Sequence, residues 1–180
     1  MCLDVKTVLE RAKEFGFSAV GELNTGALEF NPAVRDMCTP EGCYTYGHSW
    51  CCPPGCESVQ ILAARARQYP YGVIVQTTGE LEDDFDFETI GSTYEKHEQN
   101  YAAWLKFLRR EGLDILPLGG SSCGVCDKCT YPDAPCRFPE LAVYPAEAYG
   151  IVVSQACAVS GVKYNYGKGT ITYTAFCLIK

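Results

Sequence analysis

The 180-residue sequence has few basic side chains and few imidazoles. It contains fifteen lysines and arginines against twenty-two aspartates and glutamates, a formal net charge of −7, and only two histidines. Nucleic acids and anionic membrane surfaces are bound by clustered lysines and arginines, so we expect neither as a partner. With two histidines and no glycine-rich phosphate loop, the sequence indicates no hydrolytic or nucleotide-dependent mechanism.

Long hydrophobic runs are also missing. No stretch approaches the ~18 apolar residues that span a bilayer, and the first residues lack the basic start and apolar middle of a signal peptide. We therefore expect a cytoplasmic protein. With 47% hydrophobic residues, the chain is long enough for one compact domain with its own core.

The order of helical and strand patterns predicts an α+β fold. The Val-Ile-Val centre of one strand is typical of a buried position. No linker divides the chain, so we predict a single domain, residues 1–180, in which helices cover one side of a mixed β-sheet and two cysteine-rich metal-binding loops are inserted. Helices are predicted over 4–15, 56–70, 88–111 and part of 144–161, and strands over 17–23, 27–30, 71–81, 113–120 and 169–180.

Cysteine is what the sequence has in abundance. Nine of its twelve cysteines lie in two stretches, which we call the first cysteine segment (38–56) and the second cysteine segment (123–136). The cytoplasm is reducing, so disulfides explain this number poorly and metal ligation is favoured. Cys2, Cys157 and Cys177 stand alone, and we expect the last two to pack in the core as small hydrophobes.

The second segment has the spacing of an iron–sulfur site. Cys123, Cys126 and Cys129 form C-x2-C-x2-C, which wraps three thiolates around one corner of a cubane, as in bacterial ferredoxins. Cys136 follows after six residues instead of three, so it matches the motif less closely. Zinc is the alternative, although structural zinc sites usually take two ligands from each of two separated knuckles.

The first segment is less regular. Cys38 and Cys43 are spaced C-x4-C, followed by the adjacent pair Cys51 and Cys52. Neighbouring cysteines rarely bind one metal from the same loop, so we expect one of the pair to be spare, and the Cys-Pro junction favours Cys52 as the ligand. Cys56 opens the next predicted helix, where a helix N-terminus lowers a thiol's pKa. The predicted ligands are Cys38, Cys43, Cys52, Cys56, Cys123, Cys126, Cys129 and Cys136.

Other side chains of the first segment are expected to surround the metal. Tyr44, Tyr46 and Trp50 are predicted to form an apolar cover that keeps water from a cluster. His48 is expected to pack or to hydrogen-bond beside Trp50 instead of binding metal. His97 is predicted to have a structural role on the exposed side of helix 88–111.

Four motifs together resemble a known family. They are C-x4-C-x2-YG-x-SW-x-CPP (38–54), GG-x2-C-x2-C-x2-C (119–129), PCRFP (135–139) and EAYGI (147–151). The chain is similar in these motifs to the small proteins described as predicted metal-binding proteins, which are most common in anaerobes. The resemblance implies metal ligation by the predicted cysteines other than Cys56. It leaves the eighth ligand open, and without that ligand one iron has an open position.

Three functions are compatible with these patterns. The favoured one is an electron-transfer protein that carries two 4Fe–4S clusters and serves a redox partner protein, an electron carrier more than an enzyme. The second is an oxidoreductase or activating factor with a site-differentiated cluster. The third is an interaction module held together by zinc. A homodimer is compatible with each, and ligation within one segment or crossed between segments stays open.

Overall fold

The computed structural model describes residues 4–180. Within that range the chain forms five α-helices, five β-strands and two short 3₁₀ helices. The helices are α1 (Val5–Lys13), α2 (Pro32–Asp36), α3 (Val59–Ala66), α4 (Phe87–Arg110) and α5 (Val153–Val159). The strands are β1 (Ala19–Asn24), β2 (Tyr71–Glu80), β3 (Ile115–Gly119), β4 (Tyr144–Pro145) and β5 (Thr170–Ile179). The 3₁₀ helices cover Thr25–Ala27 and Ala146–Tyr149. Cys2, predicted to stand alone, lies outside the described residues.

The strands form one mixed sheet in the order β1-β2-β5-β3-β4. β5 runs antiparallel to both β2 and β3, so these two strands run parallel to each other on either side of it. α4 connects β2 to β3, which gives the predicted strand–helix–strand unit with a third strand between its two strands. β3 and β4 pair in parallel, with Gly119 opposite Pro145. The residues that follow Gly119 and Pro145 therefore leave the sheet at the same end.

Helices cover both faces of the sheet, and the prediction of one covered face was wrong. Val73, Val75 and Cys177 pack with side chains of α1 and α4. Ile74 and Phe176 face the other way and pack with α3 and α5. Side chains alternate along a strand, so a strand buried at consecutive positions has cover on both sides. Cys157 and Cys177 are fully buried, which confirms the expectation that they belong to the core.

Two predicted elements differ from those observed. Residues 27–30 form no strand: a 3₁₀ helix ends at Ala27, and Phe30 makes only an isolated bridge to Ile151. The helix predicted from residue 56 begins at Val59, because the Ser58 side chain accepts a hydrogen bond from the Ile61 backbone N–H and so caps it. Cys56 therefore precedes the helix. Burial raises its pKa, with a smaller opposing effect of the Arg35 charge, so the expected lowering is not found.

His97 is a core residue, which corrects its placement on the exposed side of α4. Its side chain is 1% exposed, and its Nδ1 atom lies 2.9 Å from the hydroxyl oxygen of Thr77. Burial lowers the His97 pKa to about 4, so the imidazole is neutral near neutral pH. It stacks on Tyr101 one helical turn later, and its role is structural as predicted.

Candidate metal centres

Three thiols of the first cysteine segment line one cavity. This first thiol cavity has a volume of about 210 Å³, its wall is mostly apolar, and its thiols are Cys38, Cys43 and Cys52. The rest of its wall includes residues after β3 and after β4, namely Gly120, Ser121, Ser122, Glu147 and Ala148. The first segment therefore packs at the end of the sheet where the chain leaves toward the second segment.

A threonine hydroxyl connects two of these thiols. Thr45 Oγ1 lies 3.1 Å from Cys43 Sγ and 3.7 Å from Cys52 Sγ. The hydrogen bond from Thr45 lowers the pKa of Cys43, whereas burial raises the pKa of Cys52 to about 11. Burial also raises the pKa of Cys38, and the nearby Cys43 and Glu147 charges add to that effect. A bound metal would supply the positive charge that keeps such thiols ionised.

Cys56 lies beside the first thiol cavity without lining it. It is close enough for its charge to raise the pKa of Cys52. The Arg35 guanidinium fixes the local backbone: it donates to the carbonyl oxygens of Glu57 at 3.1 Å and Ala148 at 2.7 Å. Cys56 is therefore held near the three thiols of the first cavity by main chain that Arg35 fixes.

Five thiols line a second, much smaller cavity. This second thiol cavity measures about 20 Å³, and its cysteines are Cys51, Cys123, Cys126, Cys129 and Cys136. All four cysteines of the second segment thus face one space, and one cysteine of the first segment joins them. The Cys51 thiol donates a hydrogen bond to Cys123, which lowers the Cys123 pKa to about 6 and raises that of Cys51.

The adjacent Cys51 and Cys52 face different cavities. Both side chains are almost fully buried, at 2% and 3% exposure. The turn that separates them is fixed by Ser49, whose side chain accepts from the Cys51 N–H at 3.1 Å and whose carbonyl accepts from the Cys52 N–H at 3.2 Å. The expectation that one of Cys51 and Cys52 is not a ligand assumed that both would have to bind the same metal. With two cavities, that reason for setting Cys51 aside disappears.

Trp50 joins the two segments. Its indole N–H donates to the carbonyl oxygen of Ala134 at 3.0 Å, and its ring centre lies 4.9 Å from that of Tyr131. Gly55 lets the Tyr131 ring approach, because a Cβ atom at residue 55 would lie 2.7 Å from that ring. Trp50 lines the second thiol cavity and Tyr46 the first, as an apolar cover requires, whereas Tyr44 on the rim of the first cavity is 88% exposed.

The thiols do not converge as a single-ion site would require. Among residues 4–180, no three cysteine, histidine, aspartate or glutamate side chains are grouped closely enough to hold one metal ion. A tetrahedral zinc with Zn–S bonds of about 2.3 Å needs sulfurs about 3.8 Å apart. A cubane separates its thiolates more widely, because its iron and sulfide atoms lie between them. His48 is exposed and lines neither cavity.

The sequence comparison now has a structural context. A family model described as Predicted metal-binding protein (DUF2284) matches residues 21–179. The chain belongs to this family. The matched range contains every cysteine of both thiol cavities, as the resemblance in four motifs had indicated. The family description names metal binding without a metal or a reaction.

The other comparisons add no relative. Neither the curated proteins nor the solved structures contain a match to this member of the predicted metal-binding family. In the described part of the chain, every helix falls short of the length or the apolar character that a membrane span needs.

Proposed function

We propose that the protein binds two iron–sulfur clusters, one in each thiol cavity, and transfers electrons between them and a redox partner protein. The division of Cys51 and Cys52 between the cavities carries this proposal. Consecutive Cα atoms are about 3.8 Å apart, so Cys52 in the first cavity and Cys51, which contacts Cys123 in the second, keep the two centres close together. A bound 4Fe–4S cluster would supply one-electron redox chemistry.

The cysteines are numerous enough for two clusters, and the second cavity, at about 20 Å³, must widen to admit one. The first cavity would use Cys38, Cys43, Cys52 and Cys56, and the second Cys123, Cys126, Cys129 and Cys136. Cys51 is then a hydrogen-bond donor to the Cys123 sulfur. Both ligand sets lie within their own cysteine segments. The contact that crosses between segments is a hydrogen bond, which tunes a thiolate ligand without replacing it.

The sequence spacing of the second segment supports clusters over zinc. Cys123, Cys126 and Cys129 form C-x2-C-x2-C, whereas structural zinc sites usually take two ligands from each of two separated knuckles. The protein's own contribution is to fix the thiols in buried turns, to donate hydrogen bonds from Thr45 and Cys51, and to exclude water with Tyr46 and Trp50. These are the features that set a cluster's potential.

A partner surface is available beside the first thiol cavity. Tyr44 is 88% exposed on its rim, and Met37, next to the ligand Cys38, is 66% exposed. Aromatic and methionine side chains are enriched in protein interfaces. The net charge of −7 favours a basic partner, whose approach such a charge would accelerate.

The test is anaerobic purification with iron, sulfide and zinc counted per chain, followed by EPR after reduction with dithionite. We expect about eight irons with equal sulfide and two interacting signals, because two closed cubanes use eight cysteines. Zinc in place of iron would overturn the redox function and leave a protein whose metals only hold loops together.

A redox enzyme is the second candidate, and the position of Cys56 favours it. Cys56 is the one predicted ligand of the first segment that does not line the first thiol cavity. If Cys56 is not a ligand, one position of that centre is open to a small molecule. A Cys56→Ala protein that loses about half its iron supports electron transfer by a closed cluster, and one that keeps all its iron supports the enzyme.

A further inference from the structure

A groove with mainly polar walls lies beside the first thiol cavity. This polar groove has a volume of about 340 Å³. It shares Gly120 and Glu147 with the first thiol cavity, so the Glu147 side chain borders both spaces. The position of this groove directly beside the thiols suits a bound small molecule.

Two hydroxyl groups of the groove, those of Thr174 and Tyr166, are held in place by buried Gln76. The Gln76 amide nitrogen donates to Thr174 Oγ1 at 3.2 Å and to the carbonyl oxygen of Lys163 at 2.9 Å. The Gln76 carbonyl oxygen accepts from the Tyr166 hydroxyl at 2.8 Å. Gln76 itself is fully buried, so it fixes the orientation of the Thr174 and Tyr166 hydroxyl groups from the protein interior. Because Thr174 accepts in its bond, its own proton is available to a molecule in the groove.

The charge and the rings on the wall define the chemistry of a ligand. Among the residues that line the groove, Glu147 is the only acidic or basic side chain. The Lys163 amine lies 5.9 Å from the ring centre of Tyr166, but Lys163 does not itself line the groove. Tyr164 and Tyr173 add two more rings. Aromatic faces attract planar rings and cations, and a carboxylate attracts cations and repels anions.

We propose that the polar groove binds a small planar heteroaromatic molecule, neutral or positively charged, and that Glu147 holds it at the edge of the first thiol cavity. Such a molecule is the substrate class of the second candidate function, on which its redox role rests. The binding itself requires no metal. Phosphorylated and carboxylated molecules are disfavoured as ligands, because the one charged side chain that lines the wall is the Glu147 carboxylate.

Three probes with one ring test the proposal: 1-methylnicotinamide, nicotinamide and nicotinate, which are a cation, a neutral molecule and an anion. Calorimetric titration of the anaerobically purified protein is expected to show the cation binding most tightly, the neutral amide less tightly and the anion not detectably. Glu147→Gln is expected to weaken binding of the cation on the order of tenfold and to change the neutral probe little. Thr174→Val, which removes the free hydroxyl proton, is expected to weaken all binding a few-fold.

The matched control is Glu98→Gln. Glu98 is also a half-buried glutamate, but it lies on α4 and lines a different cavity, so binding of the three probes is expected to stay unchanged. Equal binding of cation and anion, an unchanged cation affinity in Glu147→Gln, or no binding of any probe overturns the proposal. Iron is counted on the same folded samples, so that failure of the groove proposal can be distinguished from failure of the cluster proposal. Charge-selective binding in a protein without iron supports the groove and overturns the clusters, and the reverse result does the opposite.

Discussion

The two thiol cavities differ in room and in neighbours. The first measures about 210 Å³ and borders the polar groove through Glu147. The second measures about 20 Å³, little more than the roughly 10–15 Å³ that one water molecule needs, and its wall includes Trp50 and Phe138. Under the proposed function, the first centre is the one able to meet an outside molecule. The second centre borders no such groove, so we expect it to exchange electrons with the first centre or with a partner protein and not with a small molecule.

The largest expected effect separates the adjacent cysteines. Cys52→Ala is expected to remove the first centre and lower the iron content from about eight to about four, because it deletes a ligand. Cys51→Ala is expected to keep about eight irons, since it deletes only a hydrogen-bond donor to Cys123. Iron and sulfide counts with EPR measure both. If Cys51→Ala loses the second centre, Cys51 is a ligand and the segments share a cluster. Cys157→Ala, a buried thiol far from both cavities in sequence, serves as the control.

Acid sensitivity of the core must be separated from acid loss of metal before the cavities can be compared at low pH. The folded His97 pKa of about 4 lies below its ordinary value of 6.5 because the ring is buried. The neutral form is favoured by folding, so this stabilising contribution is complete above pH 6.5 and is lost as the pH falls toward 4. The loss amounts to about 3 kcal/mol of unfolding free energy.

Urea unfolding at several pH values measures this contribution. His97→Gln, which cannot titrate, is expected to flatten the pH dependence between 4 and 6.5. The matched control is His48→Gln, which changes the exposed histidine and is expected to leave the slope as it is. A wild-type protein equally stable at pH 4.5 and 6.5 would contradict the buried neutral imidazole.

The smallest expected effect concerns the potential of the first centre. Thr45→Val keeps the shape of the side chain and removes the hydroxyl that contacts Cys43 and Cys52. Hydrogen bonds to cluster thiolates stabilise the more negative, reduced form, so the variant is expected to have a lower potential. Loss of about 1 kcal/mol corresponds to roughly 40 mV for one electron. Redox titration should show the shift in one centre only. A shift in the potentials of both centres would contradict the assignment of the Thr45 hydroxyl to the first centre alone.

Local patterns predicted the elements well where one pattern was strong. The Val-Ile-Val strand, the long α4 and the alternating β5 were all found near their predicted bounds. The insertion of β5 between β2 and β3 could not be predicted, because it depends on pairing between residues distant in sequence. Coverage of both faces did have a signal. The consecutive apolar residues at 73–75 are typical of a strand buried on both sides.

The cysteines that line the two cavities could be named from the sequence, but their arrangement could not, and their role as metal ligands stays a prediction. Spacing identified the two cysteine segments, but the direction of each thiol depends on main-chain dihedral angles. Cys51 and Cys52 diverge because of the turn at Ser49, which no spacing rule contains. The burial of His97 had a signal: it lies four residues before Tyr101, on the same helix stripe. Glu147 had none beyond its place in the EAYGI motif, since its importance arises from two cavities that meet only in the folded chain.

The central place of β5 has a consequence for biosynthesis. It is the last of the five described strands to leave the ribosome, yet it holds β2 and β3 together. Before it emerges, the β1–β2 pair and the β3–β4 pair are not joined, and both hydrophobic cores lack the side chains that β5 contributes, among them Phe176 and Cys177. Under the proposed function, delivery of metal to a finished site must therefore wait until residues 170–179 have been made. Cysteines exposed earlier than that stand open to oxidation and to the wrong metal.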